Sequence, residues 1–345
     1  MKKIRFGKTE LMVSKVGFGG IPIMRVSKTE AANIVREAIS LGVNFIDTAH
    51  GYNDSEEKIG EAIKGIKRED LIIATKSAAP DKKTAAEHID LSLKRLGVNY
   101  IDIYQLHNVS TDAQKEAVFR HGGAMEALEE AVKAGKVRFP GFSSHPLSLG
   151  IEIMKSGKFA TVQIPFNYIN SEAANEAFPL AKKLDMGFLA MKPMGGGLLS
   201  DAGLVLRFFN SFSADTVLPI PGIESIEEIR EIVKIVEKNE TLSDADKKEI
   251  EKQKQEYSKT WCHRCDYCLP CTQGIHIAGA LWFENSFRRM PPERALSMFS
   301  PNVEKARTCI ECGECVKRCP YNLDIPELLK EKVKFLDDLK KQLNK

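Results

Sequence analysis

The 345-residue chain, of which 43% is hydrophobic, is long enough for one large domain with a small one or for two domains of ordinary size. Its 50 basic and 47 acidic side chains leave a net charge of +3, which argues against a nucleic-acid partner. Because no run approaches the roughly 20 apolar residues of a membrane span and the N-terminus lacks the apolar segment of a signal peptide, we expect a cytoplasmic protein without membrane association.

Eight short apolar or β-rich segments alternate with helical patterns over the first 240 residues. The predicted strands are residues 15–20, 43–47, 70–76, 101–107, 137–143, 161–166, 187–192 and 216–220. The first helix after a strand starts at a capping box, Ser27 with Glu30, and stops at Gly42. Eight strand–helix units predict a (β/α)8 TIM barrel, preceded by a hairpin that closes its N-terminal mouth. A doubly wound open sheet is the alternative, but its glycine fingerprint is incomplete here.

The rest of the chain differs in composition from the predicted barrel at 1–240. Residues 241–257 are highly charged with helical spacing, and we expect them to connect the barrel to a second domain at 258–345. That domain contains all eight cysteines of the chain. Its final segment is amphipathic and predicts a C-terminal helix that packs on its own protein, with a partner-binding segment as the alternative.

The cysteines form two similar sets. The second set follows the C-x2-C-x2-C-x3-C-P pattern of [4Fe–4S] ligation and consists of Cys309, Cys312, Cys315 and Cys319. The upstream set repeats its first three positions but departs at the fourth, and consists of Cys262, Cys265, Cys268 and Cys271. Two zinc sites are the alternative, although zinc sites normally pair knuckles across a longer gap. The spacing therefore favours two [4Fe–4S] clusters.

In two-cluster ferredoxins the last cysteine of such a motif ligates the other cluster. One cluster is then expected on Cys262, Cys265, Cys268 and Cys319, and the other on Cys309, Cys312, Cys315 and Cys271. The spacer between the motifs reads as helical, so residues 258–330 resemble the helical variety of two-cluster ferredoxin.

Several polar residues fall where predicted barrel strands end, which is where (β/α)8 enzymes place their reactive groups. Lys76 follows an apolar run and needs a partner, for which Asp47 is the natural candidate. A lysine cation would make Tyr52 more acidic than its ordinary pKa of ~10. Taken singly, Asp47 could cap a helix, Tyr52 could be a loop aromatic and His107 could be a core histidine.

Together these residues resemble the catalytic tetrad of the aldo-keto reductases, which are (β/α)8 barrels that use a nicotinamide cofactor. The resemblance covers residues 3–240 and is carried by "FIDTAHGYNDSEEKIGEAI", "IIATK" and "DIYQLH". It implies reduction of a small aldehyde or ketone by hydride transfer from NADPH or NADH. Tyr52 would be the proton donor, Lys76 and Asp47 its tuning pair, and His107 the group that orients the carbonyl.

The same resemblance implies the cofactor contacts. Ser143 and Ser144 match the family's serine–asparagine pair, so the asparagine is missing, and Gln163 matches the glutamine that also holds the nicotinamide. The segment "KPMGGGLL" resembles the loop over the pyrophosphate and supplies Lys192, Met194, Gly195 and Gly196.

The largest departure from the family pattern lies in "IPGIESIEEIRE". Many family members have a lysine and an arginine there to hold the 2′-phosphate of NADPH, and here those positions are Gly222 and Glu228. A carboxylate would repel the phosphate, although Arg230 is close enough to substitute. The choice between NADPH and NADH therefore stays open.

Aldo-keto reductases with a C-terminal two-cluster module form a recognisable subgroup, which this chain resembles. Hydride transfer moves two electrons, whereas clusters pass one at a time. An alternative is therefore an electron-transfer protein whose clusters serve a redox partner and whose barrel is a docking or regulatory unit. There are two further hypotheses. The clusters could have a purely structural role, or the barrel could be an aldolase that uses Lys192 as a Schiff-base amine.

Overall fold

The computed structural model describes residues 1–212 and 217–343. Thr216, which opens the eighth predicted strand, and the last two residues of the predicted C-terminal domain lie outside the described residues. The chain forms two compact units. The first comprises Met1–Gly195 with Leu199–Ser243, and the second comprises Gly196–Leu198 with Asp244–Lys345.

The first unit opens with the predicted hairpin. Strands β1 (Lys3–Arg5) and β2 (Met12–Ser14) pair antiparallel. Ile4 and Val13 of these strands, together with Phe6 between them, are buried against the inner side chains of the next strands, among them Phe45. Because these contacts fill the space inside the strands, the hairpin closes one end of the barrel, as the sequence predicted.

Eight parallel strands follow and form one sheet in which each strand pairs with the next along the chain. They are β3 (Phe18–Gly19), β4 (Phe45–Asp47), β5 (Ile72–Ser77), β6 (Ile101–Leu106), β7 (Val137–Ser143), β8 (Thr161–Pro165), β9 (Gly187–Met191) and β10 (Leu218–Ile220). A parallel bridge joins Gly19 of the first strand to Gly222, two residues after the last strand. There the Gly17 amide also donates to the Pro219 carbonyl at 2.9 Å. The prediction of a (β/α)8 barrel is confirmed.

Nine α-helices of the first unit lie between and after these strands. They are α1 (Lys28–Ser40), α2 (Ser55–Ala62), α3 (Lys82–Leu96), α4 (Asp112–Phe119), α5 (Ala124–Lys133), α6 (Leu147–Met154), α7 (Ala177–Lys183), α8 (Ala202–Phe209) and α9 (Ile226–Lys238), counted over the described residues. The predicted cap of α1 is present, since the Ser27 side chain accepts from the Glu30 amide. Helix α3 ends at Gly97, whose φ of 66° suits a residue without a Cβ.

The elements that the structure describes in the second unit are all helical. They are α10 (Asp244–Tyr257), α11 (Ile277–Leu281), α12 (Phe283–Arg289), α13 (Pro292–Ala306), α14 (Glu314–Arg318) and α15 (Ile325–Leu343). Its core contains Phe283, Val303 and Leu336, and two cysteines, Cys268 and Cys319, are buried in the same cluster. None of the helices within the described ranges has both the length and the apolarity to span a membrane.

Candidate functional site

Asp47 and Lys76 form a buried ion pair inside the barrel. Asp47 is the last residue of β4, Lys76 lies near the end of β5, and their side chains are 5% and 1% exposed. The Lys76 ammonium donates to both carboxylate oxygens of Asp47, at 2.8 and 2.7 Å, and to the Thr48 carbonyl at 2.6 Å. All three protons of the ammonium therefore have acceptors, which a buried cation requires.

Tyr52 and His107 lie beside this pair. Tyr52 sits in the loop after β4, and its ring centroid is 5.1 Å from the Lys76 Nζ atom. His107 directly follows β6, and its ring meets the Tyr52 ring edge-on, with the centroids 5.8 Å apart. The structure thus brings the four residues of the predicted tetrad together from the ends of three adjacent strands.

Burial and charge act in opposite directions on the central pair. Burial raises the pKa of Asp47, and the ammonium of Lys76 opposes that rise. Burial lowers the pKa of Lys76, and the carboxylate of Asp47 opposes that fall. An amide hydrogen bond from Gln163 further supports the ionised form of Asp47. A cation held next to Tyr52 would favour its phenolate, so the arrangement suits reversible proton transfer.

Three more predicted residues lie on the next two strands of the barrel or directly after them. Ser143 ends β7, and its Oγ accepts from the Asn108 amide at 2.8 Å. The buried Ser144 donates from its Oγ to the Pro146 carbonyl at 3.2 Å. Gln163 lies in β8, and its Oε1 is buried without a hydrogen-bond partner among the described residues. Of the three, Gln163 therefore presents the clearest acceptor for a ligand amide.

The predicted phosphate loop follows β9 and turns sharply. Lys192, Gly195 and Gly196 have φ values of 57°, 58° and 70°. The Gly195 amide donates to the Lys192 carbonyl at 2.9 Å, and the Leu199 amide donates to the Met194 carbonyl at 3.2 Å. Successive left-handed residues form the kind of backbone turn that presents amides to an anion.

Gly222 and Glu228 both make contacts that stabilise the backbone in this structure. Gly222 bridges to Gly19, and a Cβ at Gly222 would lie 2.8 Å from the Pro22 side chain. Glu228 helps to cap the start of α9, because its Oε2 accepts from the Glu224 backbone amide at 2.8 Å while its own backbone amide donates to Ser225 Oγ. The nearby Arg230 side chain pairs with Glu37 at 2.7 Å, so a phosphate there would have to compete with a carboxylate.

The eight cysteines line two separate cavities in the second unit. One is lined by Cys262, Cys265, Cys268 and Cys319, and the other by Cys271, Cys309, Cys312 and Cys315. Each cavity therefore takes three cysteines from one motif and the last cysteine of the other, which is the exchange that the spacing suggested. Four thiols in one cavity are the donor set of a [4Fe–4S] cluster, so the residues present fit such a group.

The two cysteine loops also share a backbone conformation. The second residue after the first cysteine is left-handed in both, with φ of 57° at Arg264 and 53° at Glu311. The residue after the second cysteine is left-handed as well, with φ of 59° at Asp266 and 75° at Gly313. Two loops of different sequence thus share these two left-handed positions.

Comparisons with known proteins agree with this architecture. The aldo/keto reductase family model matches residues 15–216, more than half of the chain, and a 4Fe-4S dicluster domain matches residues 261–324. The chain therefore belongs to the aldo/keto reductase family and carries a 4Fe-4S dicluster domain. The family assignment from sequence is confirmed.

Individual relatives are moderately similar. An uncharacterized oxidoreductase of Bacillus subtilis, YqkF, is 31% identical over 59% of this chain and 68% of the relative. The NADH-specific methylglyoxal reductase of Escherichia coli is 27% identical over 58% of this chain and 69% of the relative. The solved holo form of AKR11C1 from Bacillus halodurans superposes with a TM-score of 0.62 and 28% identity, covering 73% of this chain and 96% of that one. The chain spans about two thirds of the curated relatives it matches.

Proposed function

We propose that residues 1–240 reduce an aldehyde or ketone to an alcohol with NADPH or NADH. The observation that carries the proposal is the contact of the Tyr52 ring with both the Lys76 ammonium and the His107 ring. The carbonyl carbon would accept a hydride, and the carbonyl oxygen would accept the proton of the Tyr52 hydroxyl. The phenolate left on Tyr52 would regain its proton from water. The name of the methylglyoxal reductase that this chain resembles supports a carbonyl substrate.

Each member of the tetrad has a separate part in this reaction. The Lys76 cation lowers the cost of forming the Tyr52 phenolate, and Asp47 holds that cation through two hydrogen bonds. His107 donates a hydrogen bond to the carbonyl oxygen and so orients the substrate. Because these groups are already in place in the barrel, little reorganisation is needed when charge moves.

The cofactor would lie across the same end of the barrel and supply the hydride. We assign the nicotinamide to Gln163, Ser143 and Ser144, the pyrophosphate to Lys192, Met194, Gly195 and Gly196, and the 2′ position of the adenosine ribose to the segment with Gly222 and Glu228. The unpartnered Oε1 of Gln163 supports the first assignment, and the left-handed turn after β9 supports the second.

We also propose that residues 258–345 bind two [4Fe–4S] clusters, one in each cysteine cavity. A second candidate function follows from the surroundings of the second cavity. Cys312 is exposed there, and the neighbouring Ile310 is 63% exposed. A cluster so close to the surface could pass electrons to a redox partner, with the barrel acting as a docking or regulatory unit.

One experiment separates the two functions. The cluster-loaded protein is mixed anaerobically with NADPH or NADH, with and without a panel of aldehydes and ketones, while nicotinamide and cluster absorbance are followed together. The proposal expects nicotinamide oxidation only when a carbonyl compound is present, with the cluster absorbance unchanged. Bleaching of the clusters by nicotinamide alone would favour electron transfer.

Tyr52→Phe should lower the carbonyl-dependent rate by at least about 100-fold, since it removes the proton donor and keeps the ring. Tyr100→Phe is the matched control, because Tyr100 precedes β6 at the opposite end of that strand from His107. Equal rates in the two variants would exclude Tyr52 as the proton donor.

A further inference from the structure

A second carboxylate lies buried behind the strand end that carries Lys76. Glu56 of α2 is 0% exposed, and Thr75 Oγ1 donates to its Oε1 at 2.7 Å. Thr75 directly precedes Lys76 in β5, so the two side chains point to opposite faces of that strand. Glu56 therefore holds the outer face of the strand while Asp47 holds the lysine on the inner face. Because burying a carboxylate costs free energy, a carboxylate kept at this buried position indicates that it has a role there.

Glu56 is also connected to the loop that carries Tyr52. Arg95 of α3 lies with its Nη1 3.4 Å from Glu56 Oε2, and the same nitrogen donates to the His50 carbonyl at 3.2 Å. His50 is two residues before Tyr52, and its amide donates to the Lys76 carbonyl at 2.9 Å. The carboxylate, the guanidinium and the loop thus form one connected network around the strand end.

We propose that Glu56 is a positioning residue for Lys76 and Tyr52. It fixes the end of β5 through Thr75 and the Tyr52 loop through Arg95, and its negative charge joins that of Asp47 in keeping Lys76 cationic. The inference rests on the proposed reductase function, since it assigns Glu56 a part in preparing that site.

The charged and titratable groups that face Glu56 come from three neighbouring elements. They are Lys76 from β5, His88 and Arg95 from α3, and Tyr104 from β6. Burial raises the pKa of Tyr104 and lowers that of His88, so both are neutral at neutral pH. Burial also lowers the pKa of Lys76, and the charges of Asp47 and, more weakly, Glu56 oppose this. The cations near Glu56 are therefore Lys76 and Arg95. The charge of Glu56 favours the protonated form of Lys76, whereas Arg95 forms an ion pair with Glu56.

The test compares Glu56→Gln with Glu57→Gln in the full, cluster-loaded chain. Glu57 is the matched control because it is adjacent and pairs with the same Arg95, at 3.2 Å, but is 46% exposed. Protein labelled with ¹⁵N at lysine is titrated by NMR, and Lys76→Met identifies the Lys76 signal. We expect Glu56→Gln to lower the titration midpoint of Lys76 by about half a pH unit or more, and Glu57→Gln to leave it unchanged.

The same variants are then assayed for carbonyl reduction across pH. For Glu56→Gln we expect kcat to fall about tenfold with little change in KM, and the alkaline limb of the rate profile to move to lower pH. A Lys76 midpoint that is equal in both variants, or a Lys76 that stays charged in both over the whole stable pH range, would overturn the inference. A parent protein without carbonyl-dependent activity would instead refute the proposed function, while the NMR titration would still decide on Glu56.

If Glu56→Gln does not fold, Glu56→Asp provides the test. It keeps the charge but shortens the side chain by one methylene, so the contact with Thr75 is weakened. We expect a lower kcat with the Lys76 midpoint close to that of the parent. A variant equal to the parent in kcat would contradict the positioning role.

Discussion

The two units of the protein hold their reactive groups in different ways. In the barrel, the Lys76 ammonium is satisfied by polypeptide alone, through two bonds to Asp47 and one to the Thr48 carbonyl. In the second unit, burial raises the pKa of Cys262 and Cys268 to about 12, which disfavours the thiolates that a metal group needs. A bound cationic cluster would reverse that preference.

This difference indicates which of the two sites is organised before its cofactor or inorganic group binds. The barrel site has its charges paired and its strands closed, so it is organised by its own folding. The cysteine cavities lie within the core of a small helical unit, and two of their cysteines are buried there. In such a unit the binding of the inorganic group and folding are expected to be coupled.

The largest effect is expected from Cys319→Ser, which removes one thiol from the cavity of the first motif. Iron and sulfide should fall to about half of the parent content, because one of the two proposed clusters loses a ligand. Alkylation under anaerobic conditions, mapped by mass spectrometry, should then label Cys265, whereas Cys312 stays protected by the remaining cluster.

The opposite labelling would contradict the exchange of last cysteines between the motifs. Cys271→Ser serves as the reciprocal control, since it removes a thiol from the other cavity. In that variant Cys312 should become reactive and Cys265 should stay protected.

In the barrel, Asp47→Asn should lower the free energy of unfolding by about 3–5 kcal/mol, because it leaves the Lys76 ammonium buried without its counterion. Asp90→Asn is the control: it breaks the pair of Asp90 with Lys136 on the surface, and should cost less than about 1 kcal/mol. Chemical denaturation of the cluster-loaded proteins measures both values. A small and equal loss in the two variants would mean that Lys76 does not depend on Asp47.

A smaller effect concerns His50, whose ring stacks on that of His88 with the centroids 3.7 Å apart. Burial, assisted by the charges of His88 and Arg95, lowers the pKa of His50 to about 4. The unfolded chain, with a histidine pKa of ~6.5, therefore binds more protons than the folded chain between these values. Stability should be complete above about pH 6.5 and fall as the pH drops toward 4, by about 1–2 kcal/mol after allowance for solvent screening.

His50→Gln should make the stability curve flatter over that range, as measured by thermal unfolding at a series of pH values. His121→Gln is the control: His121 is fully exposed, so solvent screens its pair with Glu126, and its loss should change the slope less than His50→Gln does. An unaltered slope in His50→Gln would show that this ring does not resist protonation.

Much of the architecture could be predicted from the sequence because it follows from local patterns. Each predicted strand was a short apolar run between helical segments, and the eight strands form the barrel in that order. Parallel strands bring their ends together, so polar residues at consecutive strand ends could be predicted to become neighbours. The choice of four of them as a tetrad followed from the resemblance to the aldo-keto reductases. The family model and the dicluster model confirm the class of both parts.

Other features depend on contacts that the sequence does not display. Glu56 looks like one of two equivalent acidic residues in "SEEKIG", yet it is buried while Glu57 is exposed. The sequence gives one indication that Glu56 is buried, which is helical spacing: Ile59 and Ile63 follow it by three and seven residues and lie on the same apolar face. Ser225 and Glu228 do stand at capping-box spacing, which predicts a helix start, but the particular bond from the Glu224 amide to the Glu228 carboxylate depends on the local backbone and could not be predicted.

The smallest expected effect concerns coenzyme choice and returns to Glu228. Glu228→Gln removes a charge from the segment where a 2′-phosphate would lie, while the new amide oxygen can still accept the Glu224 amide, so the helix cap should survive. We expect the KM for NADPH to fall about two- to fivefold relative to that for NADH. Glu227→Gln is the control, because Glu227 is the exposed neighbour in the same turn. If both variants shift the ratio of the two KM values equally, only the net charge at the start of the helix matters. If neither variant shifts it, the 2′ position of the coenzyme lies elsewhere. The barrel is then organised in advance only at the reacting end of the cofactor.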